Sequence, residues 1–177
     1  RKKIVVADYA KNILEALPKG ILLTSKAEGR VNSMTIGWGT LGIEWSTPVF
    51  VAFIREHRFT RELLDKNPEF TVNVPLGEFD KKILGICGGK CGRNLDKISA
   101  AGLTLVDSET ISVPAVRELP LTLECKIVYQ QKQELPAIIE QYRTKFYPQD
   151  VDGSAVGANR DAHIAYYGEI VNAYILE

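Results

Sequence analysis

The chain has 177 residues, with 22 Lys+Arg against 22 Asp+Glu, 45% hydrophobic and 25% charged side chains. These values exclude disorder, collagen and coiled coil, and zero net charge argues against nucleic-acid binding through bulk positive charge. The length favours one domain over residues 1–177, large enough to bury a core without a disulfide or a structural metal.

In chain order, residues 20–24 read as a first strand and residues 31–43 as a second, long one with Gly at 37, 39 and 42. Pro48 opens the apolar strand 49–54. Residues 60–66 predict a helix, with Leu63 and Leu64 on one face and Asn67-Pro68 as a stop signal. Residues 70–74 alternate and end at Pro75, a strand. Short helices are expected at 81–87 and 95–101, around the loop Gly88-Gly-Lys-Cys-Gly92. Residues 121–131 read as another strand, with apolar side chains at 121, 123, 125, 127 and 129; residues 134–146 predict a helix, and 162–176 a final strand or strand pair. No repeat or linker breaks the pattern, so the fold class is α+β, dominated by β.

The longest apolar stretch, Val49 to Ile54, is far below the ~20 residues a membrane span requires. The basic start is followed by only four apolar residues, too few for a signal core. Three cysteines, an odd number, make no disulfide framework. No membrane association and a cytoplasmic, reducing setting are expected.

Gly37-Trp38-Gly39-Thr40-Leu41-Gly42 matches the G-x-G-x-x-G pattern in letters. A dinucleotide-binding turn must open a helix, however, and Ile43-Glu44-Trp45-Ser46-Thr47-Pro48 is no helix start. These glycines mark a bulge or the close approach of another group. The period of two puts Ser33, Thr35, Gly37 and Gly39 on one small, hydroxyl-bearing face, which suits either a flat ring or another packed element. Arg55-Glu56-His57-Arg58-Phe59-Thr60-Arg61 sets three arginines and a histidine at a helix start. It reads as a phosphate site or as a solvated turn. Cys87 and Cys91 have no further ligand pair at zinc spacing, so no metal is expected. The two histidines, His57 and His163, define no catalytic triad, and no catalytic residue is assigned.

Taken as an ordered series, these segments resemble the flavin reductase-like, FMN-binding split-barrel proteins, and among them the flavoredoxin branch. The matching runs are Gly20-Ile-Leu-Leu-Thr24, Val31-Asn-Ser-Met-Thr-Ile-Gly-Trp38 and Pro48-Val-Phe-Val-Ala-Phe-Ile-Arg55, then Arg58-Phe-Thr60, Phe70-Thr-Val-Asn73 and His163-Ile-Ala-Tyr-Tyr-Gly-Glu-Ile170. The resemblance implies a six-stranded Greek-key split barrel with peripheral helices. It implies a homodimer holding non-covalent FMN near the subunit interface. It implies that Asn32, Ser33, Met34 and Thr35 line the flavin ring with Trp38 nearby, and that Arg55, Arg58 and Thr60 hold the phosphate. It also places Lys97, His163 and Tyr166 near the ring. Segment 88–94 departs from the family pattern, being longer and richer in Gly and Cys.

The activity so implied moves electrons from NAD(P)H or a redox partner protein through bound flavin to an acceptor. The alternatives are a flavin carrier without turnover and a split-barrel binder of another ligand such as haem. Zero net charge conceals an asymmetry that fits a phosphorylated cofactor. Residues 1–97 hold 16 basic and 11 acidic side chains, and residues 98–177 hold 6 and 11.

Overall fold

A computed structural model describes residues 1–177. Its strands are β1 (Lys2–Lys3), β2 (Ile21–Ala27), β3 (Arg30–Ile36), β4 (Gly39–Glu44), β5 (Thr47–Arg55), β6 (Glu69–Val74), β7 (Leu105–Val106), β8 (Ala115–Val116), β9 (Leu121–Lys132) and β10 (His163–Ile175). The helices are α1 (Ala10–Ala16), α2 (Phe59–Lys66), α3 (Lys82–Gly89), α4 (Lys97–Ala100) and α5 (Glu140–Phe146).

Eight strands share one antiparallel sheet in the order β3-β2-β6-β9-β10-β5-β4, with β1 on the end of β10; β7 and β8 pair separately. β3 and β4 lie at opposite ends of that order, yet only Gly37 and Trp38 separate them in the chain. The sheet must therefore curl until its two edges approach, giving a barrel open along one seam. β2, β3, β5, β6, β9 and β10 form the six-stranded curl that the resemblance implies, and β4 extends it as the hairpin partner of β5.

Period-two alternation fills the barrel. Phe50, Ala52 and Ile54 of β5 join Leu23, Phe70, Leu123 and Tyr166 in the main core, while Val49 and Val51 belong to a separate cluster on the outer face. Ile13 and Leu17, from α1 and the turn after it, plug one end of the same core. Gly168 on β10 is required by close approach, because a Cβ there would stand 2.7 Å from Phe70 Cε1. α2 buries Phe59, Thr60, Leu63 and Leu64, and ends where Asn67 turns extended before Pro68. α3 packs Ile83 and Cys87 against Leu22, Val116 and Leu119 on the outside of β2.

Several elements differ from the pattern reading. Residues 31–43 are not one strand: β3 pairs with β2 and β4 with β5, and the chain turns the corner at Gly37-Trp38. Each half finds its hydrogen bonds on a different edge of the curled sheet, which local alternation does not register. The expected helix 134–146 is a 3₁₀ turn, Leu135–Ala137, then extended Ile138 and Ile139, then α5. The break falls at Ile138 and Ile139, whose backbone leaves the helical region before Glu140 starts α5. The expected helix 95–101 shortens to α4, whose start is fixed by Asp96 accepting from the amides of Ile98 and Ser99. Residues 162–176 form one strand, β10, with irregular register near Tyr167 and Ile170. α1 had no counterpart in the pattern. No helix is long and apolar enough to cross a membrane.

Candidate functional site

A cleft of about 850 Å³ opens at the surface, within the range of small-molecule sites. Its walls come from β3, the end of β5, the start of α2, the α3–α4 connection, the end of α5, residues 154–158 and the start of β10. Six of its lining residues are basic, namely Arg55, Arg58, Lys90, Arg93, Lys97 and Lys145, and none is Asp or Glu. The start of α2 opens into it, and no side chain caps that helix. The first amides of an uncapped helix lack partners and carry partial positive charge. The cleft is therefore chemically suited to an anion.

Asn32 is buried and donates from Nδ2 to Thr60 Oγ1 at 3.0 Å, tying β3 to the first turn of α2. Gly92 passes directly over this pair. A Cβ there would overlap Asn32 Oδ1 and lie 2.9 Å from Phe59 Cδ1, so only glycine fits. Met34 lines the cleft and packs on the barrel core. Thr35 also lines it, but its hydroxyl is committed to the Leu84 carbonyl of α3 at 2.7 Å. Trp38 is 42% exposed, with its ring 5.0 Å from that of Phe146 and 5.1 Å from that of His163.

Arg55 is buried beneath the cleft floor. Its guanidinium donates to the carbonyls of Asp161 (2.6 Å), Phe146 (2.9 Å) and Asn159 (3.3 Å), and burial is the main cause of its lowered pKa. Arg58 is half-buried and donates to the Ala155 carbonyl at 2.9 Å. Lys97 is buried and donates to the Cys87 carbonyl at 2.8 Å; burial lowers its pKa too. His163 Nδ1 meets the Tyr147 hydroxyl at 2.8 Å. Burial, with Arg55 and Arg58 nearby, pushes its imidazole down to about 3, so the ring stays neutral. Cys91 is exposed at the cleft beside Arg93, which lowers its pKa, whereas burial pushes the Cys87 thiol up to about 11.

The structure thus brings Asn32, Met34, Thr35, Trp38, Arg55, Arg58, Thr60, Lys97 and His163 to one cleft. Ser33 and Tyr166 do not line it. Ser33 is buried with its hydroxyl 2.7 Å from that of Thr24, and Tyr166 is a core residue donating to Asp65 Oδ1 at 3.1 Å. Strand alternation turns Ser33 away from Asn32 and Met34, and the register of β10 turns Tyr166 into the barrel. The cleft takes in His57, which the basic run 55–61 had put at a possible phosphate site, and also Lys90, Arg93, Lys145 and Phe146, which were not among the expected site residues. The basic excess over residues 81–97 signals Lys90 and Arg93. Nothing local signals Lys145 or Phe146, which arrive from a distant helix.

A family model described as the flavin reductase like domain matches residues 15–177. A relative from Archaeoglobus fulgidus, an uncharacterized protein, is 31% identical over 118 residues, covering 66% of each chain. Among solved structures, flavoredoxin from Methanosarcina acetivorans superposes with a TM-score of 0.63 at 22% identity over 89% of this chain and 68% of its own. Nitrilotriacetate monooxygenase component B from Bacillus cereus gives 0.66 at 18% over 89% and 69%. At such identities the likeness to the two solved structures is one of fold.

Proposed function

The chain belongs to the flavin reductase like family, and from that premise we propose that it is an FMN-binding oxidoreductase taking electrons from NAD(P)H or a redox protein. The observation that carries this reading is the acid-free cleft with six basic side chains beside an uncapped helix. Arg58 and the first amides of α2 hold the phosphate, with Thr60 fixed behind them by Asn32. Met34, Trp38 and the glycine-rich segment 88–92 form the walls against the flat ring, and buried Lys97 supplies a positive charge there. When bound, flavin itself supplies the redox chemistry; the chain binds, orients and tunes it. His163 stays neutral and adds no charge of its own beside Arg58.

We test this by adding FMN to the purified protein, then NADH or NADPH without oxygen. FMN is expected to bind and its visible band to bleach with one nucleotide. No binding overturns the reading. Binding without bleaching by either nucleotide or by a reduced electron-carrier protein leaves a flavin carrier instead.

A homodimer belongs to the same proposal. On the outer face of β5 and β10, Val49, Val51 and Ala165 cluster with Phe53 and Tyr167. Tyr167 contacts Tyr129 at 5.0 Å and Trp45 at 6.2 Å between ring centres, and Trp45 and Ile43 are exposed. Such an aromatic patch is the composition of an interface centre. Phe53 also lines the cleft, so a second copy seated here closes over the ligand. The double substitution Trp45→Lys with Tyr167→Lys is expected to give a monomer by light scattering, with weaker FMN binding. A wild type that is itself monomeric overturns the dimer. We assign the protein to the cytoplasm, where Cys87, Cys91 and Cys125 stay free thiols.

A further inference from the structure

His57 and Asp161 form a pair at the cleft wall that the flavin reading leaves without a role. His57 lies just before α2 with its side chain 63% exposed, and Asp161 precedes β10 with its side chain 4% exposed. The two meet at 2.6 Å between His57 Nδ1 and Asp161 Oδ2, and the His57 amide donates to the same oxygen at 3.1 Å. The carboxylate is held in place from behind: its own amide donates to Asn159 Oδ1 at 2.9 Å, and Gly153 packs so tightly that a Cβ would overlap it. A carboxylate accepts, so Nδ1 is the ring's donor. Nε2 is left as the free nitrogen of a side chain that lines the cleft.

We infer that His57, oriented by Asp161, binds the anionic group seated at the start of α2, and that one solvent proton is taken up by the ring as the anion binds. The inference rests on the FMN reading for the identity of that anion. The charges around the ring explain the proton. Asp161 and Asp152 are the acids near it, and Asp152 is paired with Arg160 at 3.1 Å. Arg58 adjoins it, Arg93 donates to the His57 carbonyl at 3.0 Å, and Arg55 donates to the Asp161 carbonyl. Glu56 is engaged by Lys132 at 2.6 Å. Asp161 is the charged group the ring contacts, and Arg93 is itself paired with Glu62. A phosphate dianion beside Nε2 adds negative charge on the ring's other side, and the protonated ring donates to it through Nε2. Asp161 is the positioning residue that fixes the ring for this contact.

The chain has two histidines, and His163 is held neutral, so proton NMR reads His57 directly. Adding inorganic phosphate is expected to move the His57 titration to higher pH. Between pH 7 and 9, above the second phosphate pKa of about 6, FMN affinity is expected to fall as pH rises. The limit is about tenfold per pH unit for one linked proton. Riboflavin affinity stays flat. His57→Gln, at an exposed position that leaves the fold intact, flattens the FMN profile and spares riboflavin, and Asp161→Asn flattens it with circular dichroism checking the fold. An FMN slope that survives His57→Gln, or a His57 titration unmoved by phosphate, overturns the inference. A protein that binds neither flavin overturns the FMN reading; the phosphate titration then decides His57 alone, for it if the shift appears and against it if not.

Discussion

Arg58→Ala is expected to weaken FMN by about ten- to a hundredfold while leaving riboflavin nearly unchanged. A hydrogen bond to a charged group is worth about 1.5–3 kcal/mol, and each 1.4 kcal/mol is tenfold in affinity. Riboflavin carries the same ring without the phosphate, so the pair of ligands isolates the anion contact. Arg58 is half-buried at the mouth of α2 and makes one protein hydrogen bond, to the Ala155 carbonyl, which leaves other donors of its guanidinium for a ligand. Its loss also removes that anchor, so a small drop in thermal stability accompanies the effect. Equal weakening of both flavins would move the phosphate away from the start of α2.

Arg55→Met is expected to act differently, on the fold first. The guanidinium of Arg55 bridges three backbone carbonyls on residues 146–161 and lies 5.0 Å from the Tyr147 ring centre. Methionine keeps much of the apolar stem but strands those acceptors, and a buried acceptor without a donor costs about 1–3 kcal/mol. A loss of about 3 kcal/mol lowers Tm by about 6–12 °C in a chain of this size. Residues 154–158 and His163, both cleft walls, then lose their support, and FMN and riboflavin weaken together. Unchanged Tm with loss of FMN alone would make Arg55 a phosphate ligand, the role the family resemblance implies for it.

The two arginines are three residues apart in one basic run, and local sequence does not tell them apart. What separates them is depth. Arg55 is the last residue of β5, opposite His163 in register, and its side chain is drawn under the loop that leads into β10. Arg58 lies past the strand end, at the helix start, and stays at the surface of the cleft. A similar limit applies to Ser33 and Tyr166. Both belong to segments that resemble the family, yet Ser33 is tied to Thr24 inside the fold and Tyr166 is packed in the barrel core, so neither lines the cleft.

Strands β2, β5 and β6 were legible in the sequence because each is a short apolar or alternating run bounded by Gly, Pro or charge, and β9 because its apolar side chains alternate. Helix α2 was legible for the same reason, with its apolar face and its Asn67-Pro68 stop. These signals are local, set by side-chain periodicity and backbone restriction. The break at Gly37-Trp38, the late start of α5 and the plugging of the barrel by α1 were decided by the closing of the sheet, which sets the partners each segment meets. The cleft belongs to the same class of facts. A local excess of positive charge behind a zero net charge is readable along the chain. That six basic side chains line one cleft with no carboxylate among them follows from the folding of the sheet, because charges distant along the chain become neighbours only when the curled sheet brings its loops to one end.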